Sequence, residues 1–250
     1  MKNGIHTKFI LTPISEILKD CVSATKGIGD GVGNYPLCEY IMQTTFLKMT
    51  GASEQKLKCI IKDIASNDND FLEEKFFNNR YSECSAFNSK NEVFKDLKKE
   101  ISKNSTDSDV LETIFDDTTK VDIVNRSTND LRTLFENTVV AGWQEKEFHF
   151  FKKNLDSFVD TSSFCIYSKQ DHSLSFYNNQ QQFDMIVYRH RNRCAHNLIS
   201  YQTNLPHLLV LVDKNYDYQN YFFRFSILVL LDEIFMKMYR KYLELLEKNA

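Results

Sequence analysis

The sequence contains few of the residues that end helices and form tight turns. Only three prolines and seven glycines occur in 250 residues. An all-β protein needs many more of both at its turns. This shortage predicts long helices and argues against a β-sandwich or β-barrel. The fractions of apolar residues (42%) and charged residues (26%) are ordinary for a globular protein, and the chain length suits one large domain or two small ones.

The cysteines also lack the spacing that is typical of a metal site or a disulfide framework. The six cysteines are spread along the chain and include no Cys-x-x-Cys pair, so they predict neither a zinc site nor a disulfide framework. Acidic pairs without further ligands nearby are interpreted as solvated; they are Asp68/Asp70, Asp116/Asp117 and Asp213/Asp217. The sequence therefore predicts no metal ion and no cofactor.

No long hydrophobic run is present. The apolar segment Phe222–Leu231 contains Arg224 and is shorter than the roughly 20 residues that span a bilayer. Near the N-terminus, Pro13, Ser15 and Glu16 interrupt the apolar residues that would form a signal-peptide core. We therefore expect a protein of the reducing cytoplasm without a membrane partner.

The sequence also has no strong excess of positive or negative residues. The net charge of −3 excludes a surface that attracts nucleic acid everywhere, so any nucleic-acid site must be a local patch. Arg189, Arg191 and Arg193 form such a patch with no acid between them, and the nearest acid upstream is Asp184.

Apolar residues at helical spacing predict helices along most of the chain. The predicted helical segments are 9–25, 35–50, one opening at Ser53 and running through Ile64, 110–115, 127–158, 180–200 and 218–248. Residues 66–109 are polar, and we expect short helices and loops there, with 102–109 as a linker. One small β-hairpin is expected over Phe164–Tyr177.

These segments predict a mainly α fold. We expect a helical core over residues 111–250. We expect residues 1–110 to form an N-terminal helical region, which is an elaboration of the same domain, a sensor or a dimerisation arm.

A glycine-rich segment, Lys26–Gly33, contains four of the seven glycines. A loop that cradles a phosphate follows a strand and ends in Gly-Lys-Ser/Thr. Because this segment follows a predicted helix and lacks that ending, the sequence favours a connection between helices.

A polar run, Tyr188–Asn197, interrupts an apolar helical pattern, and eight of its ten residues carry a polar side chain. Arginine offers a planar set of donors that fits a phosphate and stays charged at every physiological pH. Histidine exchanges a proton near neutrality. Residue types of this kind can hold a phosphodiester and transfer protons around it.

The order of these residues matters too. Arg191 and Asn192, followed by three residues and His196, resemble the Arg-polar-x-x-x-His signature of HEPN domains. This helical family is typified by prokaryotic ribonuclease toxins and phage-defence ribonucleases. The helix before the motif and the long apolar helix after it extend the resemblance over the C-terminal half of the chain.

The resemblance implies a HEPN-like helical bundle and a metal-independent endoribonuclease that acts as a toxin or antiviral effector. Arg191, Asn192 and His196 would then be catalytic. Other residues of the run would bind RNA: Arg189, His190, Arg193 and Asn197. The partners implied are RNA, a second copy of the chain and an antitoxin or defence-complex protein.

The helical wheel raises a difficulty for this mechanism. On one straight helix over 180–200, Phe183, Val187, Cys194 and Leu198 form the apolar stripe. Arg191 then lies near the edge of that stripe, about 140° from His196. Two arrangements resolve this: the helix starts or kinks at the motif, or two copies of the protein share one site across a two-fold axis.

Four alternatives stay open. Arg189 gives a second register of the motif with His196. A HEPN-like module can hold RNA, nucleotide or a partner protein without cleaving, or act as a helical scaffold in a larger complex. A cluster of Arg and His on a helix can also be nothing more than a solvated face.

Overall fold

The computed structural model describes residues 6–29, 31–76, 84–107, 110–158, 183–196 and 216–249. Helices and short connections make up these residues, and no strand occurs among them. The predicted mainly α fold is therefore confirmed. The hairpin expected over Phe164–Tyr177 and the motif residue Asn197 lie outside the described residues.

Twelve α-helices are present in the described ranges. They are α1 (Thr7–Leu11), α2 (Ser15–Thr25), α3 (Tyr35–Asn67), α4 (Asn69–Phe76), α5 (Phe87–Asn104), α6 (Val110–Ile114), α7 (Asp117–Ser127), α8 (Asn129–Phe135), α9 (Val139–Trp143), α10 (Glu145–Phe158), α11 (Arg189–His196) and α12 (Tyr221–Asn249). Short 3₁₀ turns span Val32–Asn34 and Tyr216–Tyr218, and a π-helical segment spans Asp184–Tyr188.

The long helix α12 lies at the centre of the fold. Every residue from Tyr221 to Met236 is buried, and α3, α5, α7 and α10 pack around it. A helix that is covered on all sides belongs to the interior of a protein. Residues of both the 1–110 and the 111–250 regions contribute to the same hydrophobic core.

Charged groups on α12 are paired where they are buried. Asp232 accepts hydrogen bonds from the ammonium of Lys56 at 2.6 Å and from the backbone N–H of Ile14 at 2.9 Å. Glu233 accepts from Arg126 at 2.8 Å. Because an unpaired buried charge is costly, these contacts fix α2, α3 and α7 against the central helix.

The predicted helix over 9–25 is divided in the structure. α1 ends at Leu11 and α2 begins at Ser15. Pro13 has no N–H to continue the helix, and the Asp232 carboxylate binds the free N–H of Ile14. A carboxylate far away in the sequence thus stabilises the break.

The two helices predicted over 35–50 and from Ser53 are one continuous helix, α3. Gly51 lies inside it, and Ser53 is buried rather than capping a new helix. A glycine costs a helix only about 1 kcal/mol relative to alanine. Packing of α3 on α12 outweighs that cost.

Other boundaries also differ from the prediction. The polar region 66–109 contains the long helix α5, and the 127–158 segment is divided into α8, α9 and α10. Asn137 adopts a positive φ of 60° between α8 and α9, a conformation that turns the chain. The segment Lys26–Gly33 connects α2 to α3, with Gly27 at a φ of 87°.

Within the described ranges, every helix is too short or too polar to cross a bilayer.

Candidate functional site

The candidate site lies on α11, which follows directly on the π-helical segment Asp184–Tyr188. The π turn closes with a bond from the N–H of Arg189 to the carbonyl of Asp184. Such segments are rare and occur often at functional sites. The predicted helix over 180–200 is described from Phe183 to His196, and the side chain of His196 lies outside the described part.

His190 points into the protein. Its ring centroid lies 5.1 Å from that of Phe46 and 5.2 Å from that of Tyr221. Burial, together with the charges of Arg224 and Arg193, lowers the pKa of His190 to about 2. The ring is therefore neutral at physiological pH.

The hydrogen bonds of His190 indicate which nitrogen carries the proton. Its Nδ1 lies 3.2 Å from Nη2 of Arg193, and its Nε2 lies 3.4 Å from Sγ of Cys194. A guanidinium only donates, so Nδ1 accepts and Nε2 carries the proton, which it donates to the sulfur. His190, expected from the resemblance to bind RNA, is thus enclosed by protein groups. The sequence did contain a sign of this inward orientation, because on the helical wheel His190 lies beside the apolar residues Val187 and Cys194.

Arg191 faces α3. Its Nη2 lies 3.4 Å from the carboxylate of Glu54, and its Nη1 donates to Oδ1 of Asn192 at 3.2 Å. The side chain remains 29% exposed, so Arg191 is only partly covered by the protein. The structure thus brings Arg191 and Asn192 together and adds Glu54, which no sequence spacing indicated.

A small pocket lies beside Arg191, between α3, α5, the π-helical segment and α12. Lys90 of α5 lines it with only 2% of its surface exposed and donates to the carbonyl of Cys84 at 2.8 Å. Burial lowers the pKa of Lys90 to about 8, while the negative charge of Glu54 acts in the opposite direction. Two cations and one carboxylate therefore share this pocket, which favours an anion at its mouth.

Arg189 and Arg193 differ in their surroundings. Arg189 is exposed, whereas Arg193 is half-buried against His190. A phosphate backbone can therefore reach Arg189 directly, and Arg193 also holds the histidine ring in place.

Arg224 of α12 supports the motif from the interior. It is 3% exposed, its Nε–H donates to the carbonyl of Ile186 at 2.8 Å, and its guanidinium lies 5.3 Å from the ring of Tyr221. Burial lowers its pKa to about 10. Tyr221 in turn donates its hydroxyl to Glu39 of α3 at 2.8 Å.

Arg191 and His196 lie on the same continuous helix, α11. Five residues along an α-helix rotate the side-chain direction by about 140°. The change from π to α geometry precedes both residues, so it does not turn one toward the other. Of the two arrangements that the sequence left open, a kink between Arg191 and His196 is absent, since the backbone is continuously helical from Arg189 to His196.

Among the described residues, no three His, Cys, Asp or Glu side chains form a group that suits a metal ion. Comparisons of this chain with models of protein families, with curated proteins and with solved structures found no match.

Proposed function

We propose that this protein is a metal-independent endoribonuclease of the HEPN type, acting as a toxin or antiviral effector. The observation that carries the proposal is the placement of Arg191. Its side chain is part-exposed, and its guanidinium is oriented by Glu54 and Asn192. Arg191 also lies on the same short helix as His196. A fixed guanidinium together with a histidine suits the binding and cleavage of a phosphodiester, once the two groups meet in one site.

The reaction that fits these groups is an internal transesterification. The ribose 2′-OH attacks the adjacent phosphorus, the bond to the 5′-oxygen breaks, and a 2′,3′-cyclic phosphate and a 5′-OH end result. His196 takes the proton from the 2′-OH or delivers one to the leaving oxygen, a role that is typically worth about 10²–10⁴-fold in rate. Arg191 binds the phosphate and stabilises the charge that grows on its oxygens.

The remaining residues of the run support this reaction. Asn192 accepts a hydrogen bond from Arg191 and so orients it. Arg189 and Arg193 attract the RNA backbone, which makes binding sensitive to salt. His190, neutral and enclosed, acts through packing.

The active form in this proposal is a homodimer. Because Arg191 and His196 diverge on one helix, each complete site takes groups from both copies across a two-fold axis. An antitoxin or another partner protein would hold the activity in check.

The test is cleavage of a labelled tRNA pool by the purified protein in the presence of EDTA. We expect wild-type protein to cleave, and Arg191→Ala and His196→Ala to lose activity while keeping the wild-type thermal transition. Arg240→Ala is the matched control, since it removes an equal charge from α12 about 24 Å along the helix from Arg224.

A second substrate sharpens the test. One 2′-deoxy substitution at the cleaved position should abolish scission there, because the nucleophile is gone. Activity lost in EDTA, or equal cleavage by all variants, contradicts the proposal. Salt-sensitive RNA binding without any cleavage favours the alternative, a non-catalytic HEPN-like binding module.

A further inference from the structure

Arg224 is a cation that the fold buries directly beneath the candidate site. Its side chain is almost fully enclosed, and Ser226, two residues further along α12, is enclosed as well. A buried guanidinium is costly unless its donors find acceptors. A main-chain acceptor is provided by Ile186, whose carbonyl lies 2.8 Å from Nε of Arg224.

Ile186 belongs to the π-helical segment, so the hydrogen bond from Arg224 connects α12 to that segment. A π turn closes between residues five apart instead of four. The extra residue rotates everything that follows by about 100° about the helix axis relative to an uninterrupted α-helix. The π-helical segment therefore decides which side chains of α11 face inward and which face α3.

In the observed rotation, His190 lies against Phe46 and Tyr221, and Arg191 lies beside Glu54. If the segment closed to α geometry, α11 would rotate as a unit. Arg191 would leave Glu54, and His190 would leave its aromatic site.

Arg224 also contacts the next turn of the motif through Tyr221. The ring of Tyr221 lies 5.3 Å from the guanidinium of Arg224 and 5.2 Å from the ring of His190. The hydroxyl of Tyr221 is held by Glu39. Two successive turns are thus supported from α12, the first by Arg224 directly and the second by Tyr221.

We infer that Arg224 is a positioning residue for the motif: its hydrogen bond to Ile186 holds the π-helical segment and thereby sets the rotation of α11 that places Arg191 beside Glu54. The effect of Arg224 on the rotation of α11 does not depend on whether the protein is an enzyme. Its consequence for RNA cleavage rests on the proposed function.

The test compares backbone amide hydrogen exchange in Arg224→Lys, Arg224→Met and wild-type protein. Lysine keeps the charge but lacks the planar Nε–H donor. Losing one charge-assisted hydrogen bond should speed exchange over 184–191 by about tenfold or more. Arg240→Met is the matched control, because it removes an equal charge from the same helix about 24 Å along it from Arg224. It should leave exchange over 184–191 unchanged.

A merely structural role for Arg224 gives a different result. Loss of general stability would speed exchange equally in α5, α7 and 184–191, and that outcome overturns the inference. The inference is also overturned if residues 184–191 exchange in Arg224→Lys at the same rate as in the wild-type protein. If Arg224→Met has no cooperative thermal transition, the lysine variant alone decides.

Cleavage of the tRNA pool separates this inference from the proposed function. We expect Arg224→Lys to lower kcat by about tenfold or more with little change in KM, because Arg224 sits behind the site and touches no RNA. If the wild-type protein cleaves RNA and Arg224→Lys has the same kcat, the positioning role of Arg224 is refuted. Locally faster exchange, with no cleavage by any protein including wild type, supports the inference and refutes the proposed function.

Discussion

The carboxylate of Glu54 lies 3.4 Å from the guanidinium of Arg191, with 16% and 29% of the two side chains exposed. Glu54 is on α3 and Arg191 on α11, so the pair joins two helices that are far apart in the sequence. It fixes the direction of Arg191 and also partly neutralises it. An RNA phosphate therefore has to share the guanidinium with a carboxylate that is already there.

Changing Glu54 to Gln should separate these two effects. Removing a negative charge near the phosphate favours RNA binding, whereas loss of the ion pair leaves Arg191 less well oriented for the reaction. We expect kcat to fall by about tenfold and KM to stay equal or decrease. Steady-state kinetics measure both values. Glu244→Gln, which breaks the exposed pair with Lys241, should match wild type. Weaker RNA binding by Glu54→Gln would contradict this account.

Arg189→Ala should weaken RNA binding without altering the fold, because Arg189 is exposed. Each phosphate contact that is lost lowers the dependence of log K on log salt by about 1. Filter binding or fluorescence anisotropy between low and moderate salt gives that slope. Lys19→Ala, which removes an exposed charge from α2, is the comparison. An unchanged slope in Arg189→Ala would remove Arg189 from the RNA interface.

His190 should make the protein sensitive to acid. Its pKa is lowered to about 2 in the folded state from an ordinary value of 6.5, so between these values only the unfolded chain binds the proton. The free energy of unfolding therefore falls as the pH drops from 6.5 toward 2.

Urea unfolding at pH 7 and pH 5 should show a smaller loss of stability in His190→Phe than in wild type. His149→Gln, which changes an exposed histidine, should keep the wild-type loss. Equal losses in all three proteins would show that His190 is not shielded.

Asp232→Ala should be strongly destabilising. It leaves the ammonium of Lys56 and the N–H of Ile14 without the acceptor that they share. Breaking a buried ion pair by removing one partner costs about 3–5 kcal/mol. Urea unfolding measures this, with Asp20→Ala as the control, since Asp20 and Lys48 form only an exposed pair at 3.9 Å. The double variant Lys56→Met/Asp232→Met should recover most of the loss. A cost for Asp232→Ala below about 1 kcal/mol would show that the pair is unimportant.

The mainly α fold could be predicted from the sequence, because apolar spacing and the shortage of proline and glycine act within a few residues. The helix α12 followed from the same pattern, although the burial of every residue from Tyr221 to Met236 did not. Boundaries were harder to predict. Gly51 did not end α3, and Pro13 divided the first helix. At Gly51 the packing of α3 on α12 decides the outcome, and such a contact has no local signal. At Pro13 the missing N–H is a local signal, and the bond from Ile14 to Asp232 stabilises the break.

The sequence alone identified the run that contains Arg191, Asn192 and His196, since these residue types and their spacing can be read directly. Tertiary structure alone decided that Glu54 and Lys90 flank Arg191, and that Arg224 donates a hydrogen bond to the π-helical segment. The reason is physical: ion pairs, desolvation and hydrogen bonds between helices depend on distances in space, and only the packing of α3, α5 and α12 around the motif sets those distances.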